Sequence, residues 1–164
     1  TGEKYTANTV LLSIGRRGSP RKLNVPGELS EKVAYRLLEP ENIQGKDILV
    51  VGGGDSAIES ALLLAENNKV TLSYRSETFS RLKPMNNTKI NEAIQKELID
   101  IKLNSNVISI VNDEVTIAVG SEKQNIKLKN DLVYIFIGGE LPISFLQNAG
   151  IEITKRFGQI VKKH

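Results

Sequence analysis

In Asp47-Ile48-Leu49-Val50-Val51-Gly52-Gly53-Gly54-Asp55-Ser56-Ala57-Ile58-Glu59, a β-branched apolar run stops at three glycines and a helix-forming run begins at once. The spacing Gly52-x-Gly54-x-x-Ala57 suits a dinucleotide. Gly52 allows a tight turn. Gly54 has no side chain, so backbone can approach a pyrophosphate. Ala57 is small enough for a helix to pack on a strand. The N–H groups opening that helix, at Asp55 and Ser56, then face the phosphates. A glycine-rich turn without a ligand looks similar. The second strand, about twenty residues on, completes the strand, turn, helix, strand order and favours the nucleotide site.

The tip of that second strand selects the nucleotide. The stretch Val70-Thr71-Leu72-Ser73-Tyr74-Arg75 ends in an arginine, followed by Ser76 and then Arg81, with Glu77 beyond the tip. A site for NAD places a carboxylate at the tip, to accept from the ribose 2′-OH. Arg75 instead suits a 2′-phosphate through a charge-assisted, bidentate contact, with Tyr74 or Ser76 donating to it. The expected ligand is NADP(H). The rival reading makes Arg75 and Arg81 solvated surface charges. No residue is a convincing acid–base or nucleophilic catalyst, and no metal site is expected.

Composition sets the frame. The 164 residues suffice for one domain with a core, and 40% of them are hydrophobic, as in a globular chain. No run of about 18 apolar residues suggests a membrane span, and the first residues show no signal peptide. There is no cysteine, hence no disulfide, thiolate metal site or redox dithiol in this chain. That fits a reducing, cytoplasmic setting. The net charge of +3 comes from basic residues scattered among acidic ones, which argues against nucleic-acid binding. The single histidine, His164, is terminal and receives no role.

The elements that would position the site follow from periodicity. Residues 8–14 read as a strand, 16–27 as a loop, and 29–38 as weakly helical or irregular, broken at Pro40. Strand 48–51, helix 55–67 and strand 70–74 follow. Asn86 or Asn87 caps a helix reaching Leu98, with Ile90, Ala93, Ile94 and Leu98 as its buried stripe. A short strand at 99–103 precedes three strands, 107–111, 115–119 and 126–128, separated by turn signals: an antiparallel meander. The apolar stretch 132–137 reads as a buried parallel strand closed by Gly138 and Gly139. The fold class is therefore α/β: a Rossmann-like dinucleotide-binding domain whose parallel sheet carries a three-stranded antiparallel meander in place of one crossover helix. Ile137, Gly138 and Gly139 would line the nicotinamide or adenine side.

These segments together resemble the pyridine nucleotide-disulfide oxidoreductases, in particular their thioredoxin-reductase-like branch. The stretch from Ile48 to Glu59 resembles that branch's NADPH fingerprint. Val70 to Ser76 resembles its His-Arg-Arg strand end, with tyrosine for histidine and serine for the second arginine. Asp131 to Gly138 resembles the segment returning toward the FAD domain. Leu11 to Gly15, Pro20 and Val25-Pro26-Gly27-Glu28 look like the hinge leaving it. The match spans nearly the whole chain.

The resemblance implies an NADPH domain inserted in an FAD domain, so that residues 1–164 form one NAD(P)-binding domain with linker stubs at 1–15 and 140–164. It implies NADPH in this domain and FAD in other parts of the same parent chain. It also implies that Glu59 contacts the nicotinamide amide, against the alternative of a solvated helix residue. Thioredoxin reductases carry Cys-x-x-Cys shortly before the fingerprint strand. This chain has Tyr35-Arg36-Leu37-Leu38-Glu39-Pro40 there, so a dithiol relay within it is chemically impossible. The resemblance then extends to ferredoxin–NADP reductases of this type, whose flavin passes electrons directly to a redox acceptor protein. A non-catalytic nucleotide-sensing module and an interaction domain with a lost pocket are the alternatives.

Overall fold

The computed structural model describes residues 2–11, 13, 19–140 and 143–153. Two compact units emerge. One is Pro20–Gly138; the other joins Thr1–Ser19 to Gly139–His164.

In the first unit, β1 (Val33–Ala34) precedes β2 (Asp47–Val51), α1 (Asp55–Leu64), β3 (Lys69–Ser73), α2 (Pro84–Gln95) and β4 (Ile99–Lys102). Then come β5 (Ser105–Ile110), β6 (Glu114–Val119), β7 (Gln124–Lys129) and β8 (Leu132–Ile135). A five-stranded sheet has the order β1-β8-β2-β3-β4, all pairs parallel. Strands β5, β6 and β7 form the antiparallel meander.

Strand alternation divides the core into two layers. Ile48 and Val50 of β2 pack with Val70, Leu72, Tyr134 and the helix residues Ala57, Ile58, Ala61, Leu64, Ile90 and Ala93. Leu49 and Val51 face the other way, with Val133 and Ile135, onto Val107, Ile110, Val115 and Ile117 of the meander. Each fully buried Leu, Ile or Val contributes about 1.5–3 kcal/mol. The central strand is buried on both faces, which explains its unbroken apolar run.

Several boundaries move, each for a local reason. Helix α1 stops at Leu64 rather than residue 67, because the Asn68 side-chain amide donates to the Leu64 carbonyl at 2.9 Å and to that of Ile43 at 2.8 Å. Helix α2 starts at Pro84, whose fixed φ and missing N–H suit the first helical position. Asn86 is therefore inside the helix and buried, not its cap. The chain leaves α2 at Gln95, and Glu97 takes φ 54°, so Leu98 lies outside the helix; Ile94 and Leu98 are exposed. The apolar segment 132–137 pairs as a strand only to Ile135. The region 29–38 is irregular apart from the two residues of β1, which pair with β8.

The Val25-Pro26-Gly27-Glu28 turn belongs to the first unit. Gly27, at φ 82°, sits where a Cβ would overlap the Ile110 carbonyl. The buried Glu28 carboxylate accepts the N–H groups of Leu23 (2.7 Å) and Asn24 (2.6 Å) and the Tyr35 hydroxyl (2.8 Å).

In the second unit, α3 (Ile143–Asn148) is the helix among the described residues. The strand expected at 8–14 is not formed at residues 8–11 or 13, where Val10 and Leu11 are exposed and no strand among the described residues pairs with them. Leu12 and Ile14 lie outside the described residues.

Candidate nucleotide-binding site

The site grows from the end of β2. Gly52 has φ 144°, and a Cβ there would overlap the Phe136 carbonyl and lie 3.1 Å from the Ala57 Cβ. The turn thus needs glycine at 52 and a small residue at 57. A Cβ on Gly53 would overlap the ring of Tyr74. A Cβ on Gly54 meets nothing within 4 Å. Its φ of −98° is open to any residue. The backbone therefore requires glycine at 52, a side chain at 53 would have to displace the Tyr74 ring, and nothing in the protein requires glycine at 54.

Gly54 is the residue before α1, and no side chain caps that helix. The N–H groups of Ala57 and Ile58 both close onto the Gly54 carbonyl, at 3.0 and 3.1 Å. Those of Asp55 and Ser56 precede the first closed turn, in the anion-binding position of a helix start. Gly54, Asp55 and Ser56 form one wall of a cleft of about 390 Å³. Pro20, Tyr35, Ile135, Phe136 and Gly138 form the rest. Ile137 instead packs toward the meander layer. Gly139 belongs to the other unit.

The tip of β3 lies beside this turn, since β2 and β3 run parallel with Val51 opposite Ser73. The half-buried Tyr74 ring covers Gly53 and stacks on Phe79, with ring centroids 5.4 Å apart. Its N–H donates to the Lys102 carbonyl at 2.9 Å, and its carbonyl accepts from Ser105 at 3.0 Å. Arg75 and Arg81 are exposed, and neither makes an ion pair among the described residues. The half-buried Ser76 is tied through its carbonyl to the Asn104 N–H at 3.1 Å.

Two acidic residues of α1 turn toward α2. One Asp55 carboxylate oxygen accepts the Lys83 N–H at 2.9 Å and the Asn86 side-chain amide at 2.7 Å. The Lys83 N–H first, and then Asn86, hold the Asp55 carboxyl below the usual carboxylate range. Glu59 accepts from the same amide at 2.7 Å and lines the groove between α1 and α2, away from the cleft.

Sequence reasoning missed Gly53, Tyr35, Phe136 and Asn86. A third glycine, more than the motif needs, followed by an aromatic strand tip, was a signal for Gly53. Asn86 falls at helical spacing from the core residues Ile90 and Ala93, a polar residue on an apolar face. Tyr35 and Phe136 carry no local signal, because the fold alone brings them to the cleft.

A glycine turn at an uncapped helix start, on a parallel sheet backed by a meander, defines a dinucleotide-binding fold of the Rossmann type. The chain belongs to the pyridine nucleotide-disulphide oxidoreductase family, whose description matches residues 1–163. It is similar to a bacilliredoxin reductase, Bdr, of Bacillus subtilis (31% identical, covering 96% of this chain and 49% of that protein). It is also similar to a ferredoxin–NADP reductase of Picrophilus torridus (36% identical, covering 79% of this chain and 37% of that protein). Among solved structures it resembles the bacillithiol disulfide reductase Bdr of Staphylococcus aureus, with a TM-score of 0.79 and 31% identity over 84% of this chain and 43% of that one. The thioredoxin reductase of Lactococcus lactis matches with a TM-score of 0.70 and 26% identity, over 82% of this chain and 46% of that one. The chain spans about half the length, or less, of these relatives. Among the described residues, no helix is long and apolar enough to cross a membrane.

Proposed function

We propose that this chain is the NADP(H)-binding domain of a flavin-dependent oxidoreductase. It presents the nicotinamide of NADPH to an FAD held by parts of the same protein outside this sequence, with residues 1–15 and 140–164 as connections to them. The observation that carries this reading is the empty space at Gly54, before an uncapped helix and beside a strand tip that offers Arg75. A pyrophosphate uses the space, and the 2′-phosphate uses Arg75, Ser76, Tyr74 and Arg81. The chain's own residues bind and orient; the flavin, when present, supplies the hydride acceptor. Glu59 stays a candidate partner for the nicotinamide amide on the family resemblance alone, since its carboxylate here accepts from Asn86 in the groove between α1 and α2.

The acceptor in this proposal is a ferredoxin-like protein reached directly from the flavin in a cytoplasmic setting; what supports it is that residues 35–40 of this chain offer no dithiol where thioredoxin reductases carry Cys-x-x-Cys. The resemblance to the bacilliredoxin reductase over 96% of the chain favours a second reading, in which the acceptor is a disulfide. The test compares this chain alone with the whole protein that contains it. The chain alone stays colourless and does not oxidise NADPH. The whole protein is yellow, and NADPH bleaches its flavin; subsequent reoxidation by ferredoxin or by a bacilliredoxin disulfide separates the two acceptors. A flavin bound tightly by the isolated chain, or a whole protein whose flavin ignores NADPH, overturns the proposal.

A further inference from the structure

The loop of residues 75–83 carries Arg75, Ser76 and Arg81, and both of its ends are fastened to the glycine turn. At its front, Tyr74 lies on Gly53. At its back, Asp55 accepts the Lys83 N–H and the Asn86 amide. Lys83 is the residue before α2, and no side chain of α2 itself caps that helix. In a capping box, the third helical residue would accept the N–H of the residue before the helix. Here the third residue is Asn86, which donates to Asp55 and Glu59 instead. Asp55 of α1 thus accepts that N–H from a different helix, and it places a carboxylate at the positive end of α2.

From this arrangement we infer that Asp55 is a positioning residue for nucleotide selectivity: its carboxylate pins the start of α2 and so holds Arg75 and Arg81 in place to receive a 2′-phosphate. The inference rests on the NADP(H) reading above. Long exposed arginine side chains lose much conformational freedom when ordered by a ligand. A loop fixed at both ends lowers that cost by pre-organisation, and the gain falls on the nucleotide that carries the extra phosphate. The backbone N–H of Asp55 serves the pyrophosphate of either nucleotide, while its side chain serves the loop.

The experiment measures amide hydrogen exchange at residues 75–83 without nucleotide, and NADPH and NADH affinities by calorimetry. The chains compared are the unaltered one, Asp55→Ala, Asp55→Asn, Arg75→Ala and the Asp55→Ala/Arg75→Ala pair. Asp55→Ala should speed exchange in the loop while β2 and β3 stay protected, and reduce the preference for NADPH over NADH about tenfold. Asp55→Asn keeps an acceptor oxygen and should fall between the two. In the Arg75→Ala background, losing Asp55 should change the preference by clearly less than it does alone, because the part carried through Arg75 is already gone and only that through Arg81 remains. Unchanged loop exchange, equal losses for both nucleotides, or additive losses in the paired variant would overturn the inference. An unaltered chain with no preference for NADPH is a separate failure: it removes the NADP(H) reading, and the selectivity role with it, whatever the exchange shows.

Discussion

The glycine turn at 52–54 and the loop at 75–83 leave the same end of the sheet, yet they are held in opposite ways. Gly52 and Gly53 are buried, and each is fixed by what touches it: the Phe136 carbonyl, Ala57 and the Tyr74 ring. The loop exposes Arg75, Glu77 and Arg81, while Tyr74 on Gly53, the Ser76 carbonyl on Asn104, Phe79 and Leu82 against the core, and Asp55 on Lys83 hold it from front to back. The turn's geometry follows from packing at each position. The loop's geometry depends on groups elsewhere in the chain. On the proposed reading, contacts common to dinucleotides fall to the turn and discrimination between nucleotides falls to the loop.

The largest effect should come from filling the one position in the turn that the protein leaves open. Gly54→Val should weaken NADPH binding by more than about a hundredfold, since the side chain takes the pyrophosphate's approach. Its melting temperature should stay within a few degrees, because the Cβ meets no protein atom. Calorimetry and thermal melting check the two halves. Intact binding would place the phosphate site elsewhere.

Next is the loop. Arg75→Ala should lower NADPH affinity about ten- to a hundredfold, the worth of a charge-assisted contact to phosphate, and erase the preference over NADH. Competition between the two nucleotides measures it directly.

Gly53 separates fold from ligand. Gly53→Ala should destabilise the chain by about 1–3 kcal/mol through overpacking against Tyr74, read by denaturant unfolding. In a Tyr74→Ala background the same change should cost far less. Equal costs in both backgrounds would mean that the ring is not what excludes the side chain.

The smallest effect lies away from both regions. Burial alone would raise the Glu28 carboxyl, but the Leu23 N–H, the Tyr35 hydroxyl and the Asn24 and Val25 N–H groups outweigh it and lower its pKa. Its stabilisation is fully present above the ordinary glutamate range, about pH 4.3. It is lost as pH falls through the lowered folded value. Glu28→Gln should cost about 1 kcal/mol at neutral pH. The gap between variant and unaltered chain should close on acidification. A gap independent of pH would leave the carboxylate charge without a part in stability.

Much of this was legible in the sequence because it rests on local patterns. Gly52, Gly54 and Ala57 announce the turn, unbroken apolar runs mark β2 and β8, and polar turns delimit the meander. Boundaries shifted where a distant group intervened, as Asn68 does at the end of α1. The side chains of Asp55 and Asn86 were illegible as a tether, because their meeting depends on how α2 packs on α1. The apolar run at 8–11 misled because a strand needs a hydrogen-bonding neighbour as well as a pattern.

The central claim is that the chain recognises NADP(H) through the glycine turn and the arginine beside it. Titration of the 164-residue chain with NADPH and with NADH under identical conditions tests it most directly. The account predicts one site and at least about tenfold tighter binding of NADPH; equal affinities, or tighter binding of NADH, would contradict it.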